Sequence, residues 1–187
     1  MSANGYLVET LTRHQIFLQR FGGGVINDLE PVLEKMVQEI RARLLMAPTD
    51  FQLQRLQVLL GELDAIIRES GGEYGRQLQL KLEEFVEYES GFTLRVLGEV
   101  VNVDLAAPAP NQLAAAVTQS AARLLQGDVV REMTVPQLVE QFTKAKRQQV
   151  LQVVRAGYIE GATLQDIVRR VGDVTDKASK RQAAAMV

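Results

Sequence analysis

Residues 138–187 read LVEQFTKAKRQQVLQVVRAGYIEGATLQDIVRRVGDVTDKASKRQAAAMV, and this stretch decides the fold. Apolar residues recur in its first half at steps of three and four, beginning with Leu138 and Phe142, which predicts one apolar stripe along a long helix. Gly157 and Gly161 are predicted to end that helix, because glycine takes left-handed backbone angles at little cost.

A second, shorter helix is predicted to begin directly after these glycines. Thr163 can cap its first turn and Asp166 can reach back to the cap, as in a capping box. Gly172 is predicted to close this helix, and a third one restarts at Asp173 or Thr175. The stretch therefore predicts three helices joined by two corners, similar to a helix-turn-helix.

The composition favours an all-α protein. Of the 187 residues, 47% are apolar and only five are prolines, and tryptophan is absent. Leu, Val, Ala, Gln, Glu and Arg outweigh the aromatic residues, which is typical of helices rather than sheets. We expect an elongated helical bundle of about six to eight helices with glycine hinges.

Several kinds of site find no support in the sequence. There is no cysteine and there is one histidine, so neither thiolate chemistry nor a His-rich metal cage is expected. We predict no cofactor, no metal and no enzyme activity. The longest apolar runs fall far short of the roughly 20 residues of a membrane span, and no secretory signal is visible.

Charge is unevenly distributed along the chain, although the net charge is only −2. Residues 60–104 carry ten acids and four bases, whereas residues 144–187 carry nine bases and four acids. This asymmetry can orient the protein between a basic and an acidic neighbour, or it reflects two solvated helix faces of opposite sign.

The first hundred residues predict helices separated by glycines. Residues 5–21 form an amphipathic helix, residues 32–44 continue as a helix after Pro31, and residues 51–68 form the next one after a turn at 47–50. The last two are expected to pair as an antiparallel hairpin. A further helix of about thirty residues follows a second glycine break. The triple glycine at 22–24 is predicted to mark a break, a hinge or a close helix contact, and the candidate hinges are Gly22, Gly23, Gly24, Gly71 and Gly72.

Residues 102–110, NVDLAAPAP, form the clearest linker, because their prolines fix a semi-extended path. They divide the chain into an N-terminal helical region, residues 1–101, and a C-terminal helical region, residues 111–187. Asn111 is predicted to cap the first helix of the second region, which Gly127 ends. Thr134, with Pro136 in the next turn, opens the long helix of the C-terminal stretch.

Three features suggest chemistry, but each has a simpler explanation. His14 lies among apolar neighbours and has no visible catalytic partner, so we interpret it as a packed or half-exposed side chain. The triple glycine at 22–24 lacks the preceding strand and Lys-Ser/Thr signature of a phosphate-binding loop. A third group of residues, the acids Glu83, Glu84, Glu87 and Glu89, is interpreted as a solvated helix face with no histidine nearby.

Taken together, the chain resembles the phage head morphogenesis family, the minor head proteins related to the F protein of Mu-like tailed phages. The matching pieces are an N-terminal helix with Arg13-His14-Gln15, a central helical region, and a helix that leads into Gly-Tyr-Ile-Glu-Gly at 157–161. After these come Thr-Leu-Gln-Asp-Ile-Val-Arg-Arg-Val at 163–171 and an Ala-rich helix. Residues 111–187 would then begin a head-morphogenesis-like domain.

The resemblance implies a structural minor capsid protein near the portal that helps head assembly and DNA packaging or ejection. Its implied partners are the portal, the major capsid protein and packaged DNA bound without sequence preference, with a homo-oligomer as a further possibility. It implies a location in the virion, and in the host cytoplasm during assembly. Flexible glycines would let copies bend differently where symmetries mismatch.

Two other functions stay open, a helix-turn-helix DNA-binding protein and an internal virion protein that is ejected with the DNA. In the first, the motif would consist of a helix over 163–171, a corner at 172–174 and a recognition helix from Thr175 onward. The basic residues expected to contact DNA or an acidic partner are Lys144, Lys146, Arg147, Arg169, Arg170, Lys177, Lys180 and Arg181.

Overall fold

The computed structural model describes residues 3–47, 53–101, 106–126 and 129–186 and confirms the all-α class, since helices form most of this part of the chain. The helices are α1 (Ala3–Leu45), α2 (Leu53–Val101), α3 (Pro110–Gln119), α4 (Val135–Ile159) and α5 (Leu164–Met186). Two short antiparallel strands, β1 (Ala122–Gln126) and β2 (Val129–Met133), join α3 to α4 and pair Ala122 with Met133. Residues 48–50 of the predicted turn at 47–50, and residues 102–105 of the predicted linker, lie outside the described residues.

The described part of the chain contains five helices instead of six to eight, because most of the predicted breaks are absent. Helix α1 runs through Gly22–Gly24 and also through Pro31, and α2 runs through Gly71 and Gly72. A glycine costs about 1 kcal/mol inside a helix, which the burial of apolar side chains along each helix outweighs. The predicted breaks at these glycines were wrong. Whether the glycines act as hinges stays a prediction.

The predicted helix-turn-helix corner at 172–174 is also absent. Helix α5 is continuous from Leu164 to Met186, so Gly172 lies inside it instead of closing it. Val171 and Thr175, on the two sides of this glycine, are both buried, and their packing holds the helix together. A recognition helix that starts at Thr175 was therefore a wrong prediction.

Helices α1 and α2 form the predicted antiparallel hairpin, which is much longer than expected. Its side-chain contacts run in order from one end to the other, as Arg43–Glu62, Asp28–Lys81, His14–Glu89 and Tyr6–Glu99. At 1.5 Å per residue, the 43 residues of α1 span about 65 Å and the 49 residues of α2 about 73 Å. The end of α1 at Leu45 and the start of α2 at Leu53 lie at one end of this length.

Helices α4 and α5 pack along the half of the hairpin that contains Leu45 and Leu53. There α1, α2, α4 and α5 form a four-helix body, in which α2 runs antiparallel to α1 and to α4, and α5 runs antiparallel to α4. Its core contains the α1 residues Val25, Leu29, Leu33, Met36, Ile40 and Leu44, spaced by three or four. Phe142, Val150 and Val154 of α4 and Ile167 and Val171 of α5 belong to the same core. Residues on both sides of the predicted linker thus share one core.

The predicted caps of α4 and α5 are confirmed. The Thr134 hydroxyl accepts the Gln137 backbone N–H, and the Gln137 side chain accepts the Thr134 N–H at 2.9 Å. The Thr163 hydroxyl likewise accepts the Asp166 N–H at 3.1 Å and donates to the Asp166 carboxylate at 2.8 Å. Both helices therefore begin at signals that are readable in the sequence.

Helix α4 ends at Ile159, between the two glycines that were predicted to stop it. Gly161 has a φ of 68°, and the next N–H, of Ala162, donates to the Gly157 carbonyl at 2.9 Å. This is the Schellman arrangement that a left-handed glycine permits.

Helix α3 differs from its predicted bounds. Its N-cap is Ala109 instead of Asn111, and it ends at Gln119, well before Gly127.

Replacing Thr163 with alanine should lower the free energy of unfolding by about 1 kcal/mol, because the first turn of α5 loses its cap. Urea denaturation followed by circular dichroism measures this. Thr12→Ala is the matched control, since the Thr12 hydroxyl donates to the Val8 carbonyl inside α1 and caps nothing. An equal loss in both variants would contradict the capping role.

Candidate functional site

The basic residues predicted to contact DNA or an acidic partner do not form one exposed row. Lys146 is only 1% exposed and lies in the body, so its prediction as a surface contact was wrong. Arg169 pairs with Asp166 at 3.0 Å and Arg170 with Glu160 at 2.6 Å. Lys144 is exposed. The remaining side chains, those of Lys177, Lys180 and Arg181, lie outside the described ones.

Lys146 is held in the body by two neighbours. Its Nζ donates to the Val174 carbonyl of α5 at 3.2 Å and lies 5.8 Å from the centroid of the Phe142 ring. Burial lowers its pKa to about 8, because removal from water disfavours the ammonium form. Phe142 stacks in turn on Tyr74, at 5.4 Å between centroids, and burial raises the pKa of Tyr74 to about 12. This arrangement ties α2, α4 and α5 together.

Asp64 is a buried carboxylate that holds two arginines. It is 6% exposed and pairs with Arg68, one turn further along α2, and with Arg147 of α4. Burial by itself raises the pKa of Asp64, but the hydrogen bonds and charges of the two guanidinium groups outweigh it and leave the pKa below its usual value. The ion pair with Asp64 therefore orients the guanidinium group of Arg147, one of the predicted contact residues.

These arginines stand at one end of a groove of about 610 Å³ between α2, α3 and α4. The α2 side of the groove is formed largely by Gly71, Gly72 and Gly75, and Val117 of α3 and Val139 of α4 line the other sides. Lys144 lies on the α4 wall. The groove thus combines an aliphatic floor with a cationic end.

The half of the hairpin beyond the body forms an arm, which we define as residues 3–24 of α1 and 82–101 of α2. Stacked rings hold its two helices together, at centroid distances of 3.7 Å for His14–Phe92, 4.0 Å for Phe17–Tyr88 and 5.0 Å for Phe21–Phe85. Each such pair contributes roughly 0.5–1.5 kcal/mol beyond its buried area.

His14 is a packed side chain, as its interpretation from the sequence proposed. Its side chain is 9% exposed, and Nε2 lies 3.0 Å from Oε1 and 3.2 Å from Oε2 of Glu89. The prediction that the acids of this helix have no histidine nearby was therefore wrong for Glu89. The His14–Glu89 contact joins residues 75 positions apart, and no local sequence pattern reveals it.

One face near the tip of the arm is apolar and exposed. The Tyr6 hydroxyl donates to Glu99 at 2.5 Å, which marks one side of the arm. Each residue turns a helix by about 100°, so Val8 and Leu97, each two positions away, face the other side. Leu11 and Val100 follow them by three positions on their helices. The tip patch consists of these four residues, Val8, Leu11, Leu97 and Val100, which are 44–65% exposed.

The described ranges hold neither a metal cluster nor a membrane span. No group of three or more His, Asp or Glu residues there is placed to hold a metal ion. No helix in that part of the chain has the length and hydropathy needed to cross a membrane.

The fold defines a class of protein, a four-helix body from which a two-helix arm projects. Comparisons with family models, with curated proteins and with solved structures each found no match. The resemblance to phage head morphogenesis proteins therefore stays a prediction.

Proposed function

We propose that this chain is a structural component of a protein assembly, and specifically a minor capsid protein of a tailed phage that acts near the portal during head assembly and DNA packaging or ejection. The observation that carries the structural role is the arm. It extends beyond the shared core and presents the tip patch to solvent. Exposed apolar clusters of this kind mark sites of protein contact.

The choice of a phage head rests on the sequence pieces around Arg13-His14-Gln15 and at 157–171. The proposed partners are the portal and the major capsid protein, and packaged DNA is a further one without sequence preference. Homo-oligomers and ejection with the DNA are also part of this proposal. The proposed role involves no catalysis, and it leaves the buried groups Lys146 and Asp64 to packing and ion pairs.

The test is the protein content of particles purified from the proposed phage. We expect mass spectrometry to detect the wild-type chain in these particles. When a Leu97→Asp variant replaces it, the amount of the chain per particle should fall at least tenfold, because a carboxylate at the tip patch opposes burial against a partner. Both proteins should keep the same melting temperature, because Leu97 is exposed.

Leu53→Asp is the matched control. Leu53 is 64% exposed and lies at the start of α2, at the opposite end from the arm. This variant should enter particles at the wild-type level. Particles that lack the wild-type chain would reject the phage assignment, and equal incorporation of both variants would reject the role of the arm.

A further inference from the structure

The groove between α2, α3 and α4 lies on the body, at a distance from the tip patch. Its α2 side is open at Gly72, where an added Cβ would have no atom within 4 Å. Its neighbours Gly71 and Gly75 are instead in close contact with Thr143 and Val139 of α4. The glycines thus bring α4 close to α2 and leave a shallow floor beside the contact. The volume of about 610 Å³ is in the range of ligand-binding clefts.

The cationic end of the groove has more N–H donors than its own carboxylate can accept from. Each guanidinium carries five N–H donors, and Arg68 and Arg147 share the single carboxylate of Asp64. Lys144, on the same wall, forms no ion pair within the described part of the chain. The only acid on this wall among the described lining residues is Glu140. The three cations thus face two carboxylates, those of Asp64 and Glu140, which leaves one net positive charge. An anionic group entering here meets cations that are already oriented.

The remainder of the groove suits aliphatic side chains. Val117, Val135 and Val139 line it together with the bare glycine backbone, and no aromatic ring belongs to the described lining. Single-stranded nucleic acids bind largely by stacking on aromatic rings, and duplexes need a row of exposed cations along the phosphates. This groove offers neither feature.

We propose that the groove binds a peptide segment of a protein partner that carries Asp or Glu next to aliphatic residues. The carboxylate occupies the end with Arg68, Lys144 and Arg147, and the aliphatic side chains lie over the glycine and valine floor. This inference does not depend on the phage assignment or on the arm, since the groove and the tip patch share no residue.

The probe is a displayed library of random octapeptides, panned on the full-length chain. Enriched peptides should contain acids beside aliphatic residues, and their synthetic Asn/Gln counterparts should bind at least tenfold more weakly. Gly72→Leu, which fills the open floor, and Lys144→Glu, which reverses a wall charge, should each weaken binding at least tenfold. Fluorescence anisotropy measures these affinities.

Two controls match these variants. Gly61→Leu changes another exposed α2 glycine that has no atom within 4 Å, and Lys35→Glu reverses an exposed charge on α1. Both should bind like the wild type, and all four variants should keep cooperative unfolding. Enriched peptides without acids, or binding that ignores Gly72→Leu and Lys144→Glu, would overturn the proposal. So would a DNA oligonucleotide that binds in place of peptides with the same sensitivity to these variants.

Discussion

Replacing Gly71 with alanine is expected to lower the free energy of unfolding by about 2 kcal/mol. A Cβ at this position would lie 2.4 Å from Oγ1 and 2.6 Å from Cγ2 of Thr143. The β-branched Thr143 side chain has little freedom to turn away, and its hydroxyl donates to the Val139 carbonyl at 2.8 Å. Helices α2 and α4 must therefore separate, and overpacking of this kind costs roughly 1–3 kcal/mol.

The neighbouring glycine supplies the matched control. Gly72→Ala meets no atom within 4 Å and should raise the free energy of unfolding by about 0.5–1 kcal/mol, because alanine is the better helix former. Urea denaturation of the two variants measures the difference in sign. If both substitutions stabilise the protein, the close contact between α2 and α4 is not as described. Adding Thr143→Ala to Gly71→Ala should recover part of the loss, since the two closest atoms disappear.

Replacing Lys146 with methionine is expected to raise the free energy of unfolding by about 2–3 kcal/mol at pH 7. Methionine keeps most of the length of the side chain but removes a charge that burial disfavours. The shift of the Lys146 pKa, from its ordinary 10.5 to about 8, sets the size of the effect. The Nζ–Val174 hydrogen bond is lost, which is why the expected gain stays below the full value of the shift.

The pH dependence gives this prediction a second readout. Between about pH 8 and pH 10.5, Lys146 is neutral in the folded protein and still protonated in the unfolded chain. The unfolded state then binds more protons, so the stability of the wild type rises with pH in this window. The advantage of Lys146→Met is therefore full below about pH 8 and shrinks toward pH 10.5.

Other groups that titrate in this pH range, including Tyr74, are present in both proteins, so their contributions cancel in the difference in free energy of unfolding between variant and wild type. Lys35→Met is the control, because Lys35 is exposed on α1, and it should change stability by less than about 0.5 kcal/mol at any of these pH values. A Lys146→Met protein that is less stable than the wild type at pH 7, or an advantage that does not change with pH, would contradict the account of a charged buried lysine.

The features that sequence reasoning predicted well are the ones that neighbouring residues control. The caps at Thr134 and Thr163 depend on residues three positions away, and the stripe through Phe142 follows from helical spacing alone. The glycine breaks failed for the opposite reason. Gly71 resembles a helix breaker locally, but in the fold it is the place where α4 comes closest to α2. Packing between distant segments outweighed the local preference.

Lys146 could have been placed correctly from its spacing. It lies four residues after Phe142 and four before Val150, on the same stripe as the buried Val154, but its charge suggested exposure. The groove and the His14–Glu89 contact could not have been predicted in this way. They depend on where α3 returns after the linker and on a pairing across 75 residues, and neither leaves a periodic signal in the chain.

The position of Leu45 and Leu53, the ends at which α1 stops and α2 begins, has a mechanical consequence. Leu45 and Leu53 lie at the far end of the body from the arm, so in the arm only side-chain contacts join the two helices. The ring pairs can then separate in sequence from the tip inward, with His14–Phe92 parting before Phe21–Phe85, while the core around Ile40 and Leu63 stays closed. The two helices of the arm can therefore separate locally from the tip. A partner that inserts between them has to disrupt the three ring contacts but not the core of the body.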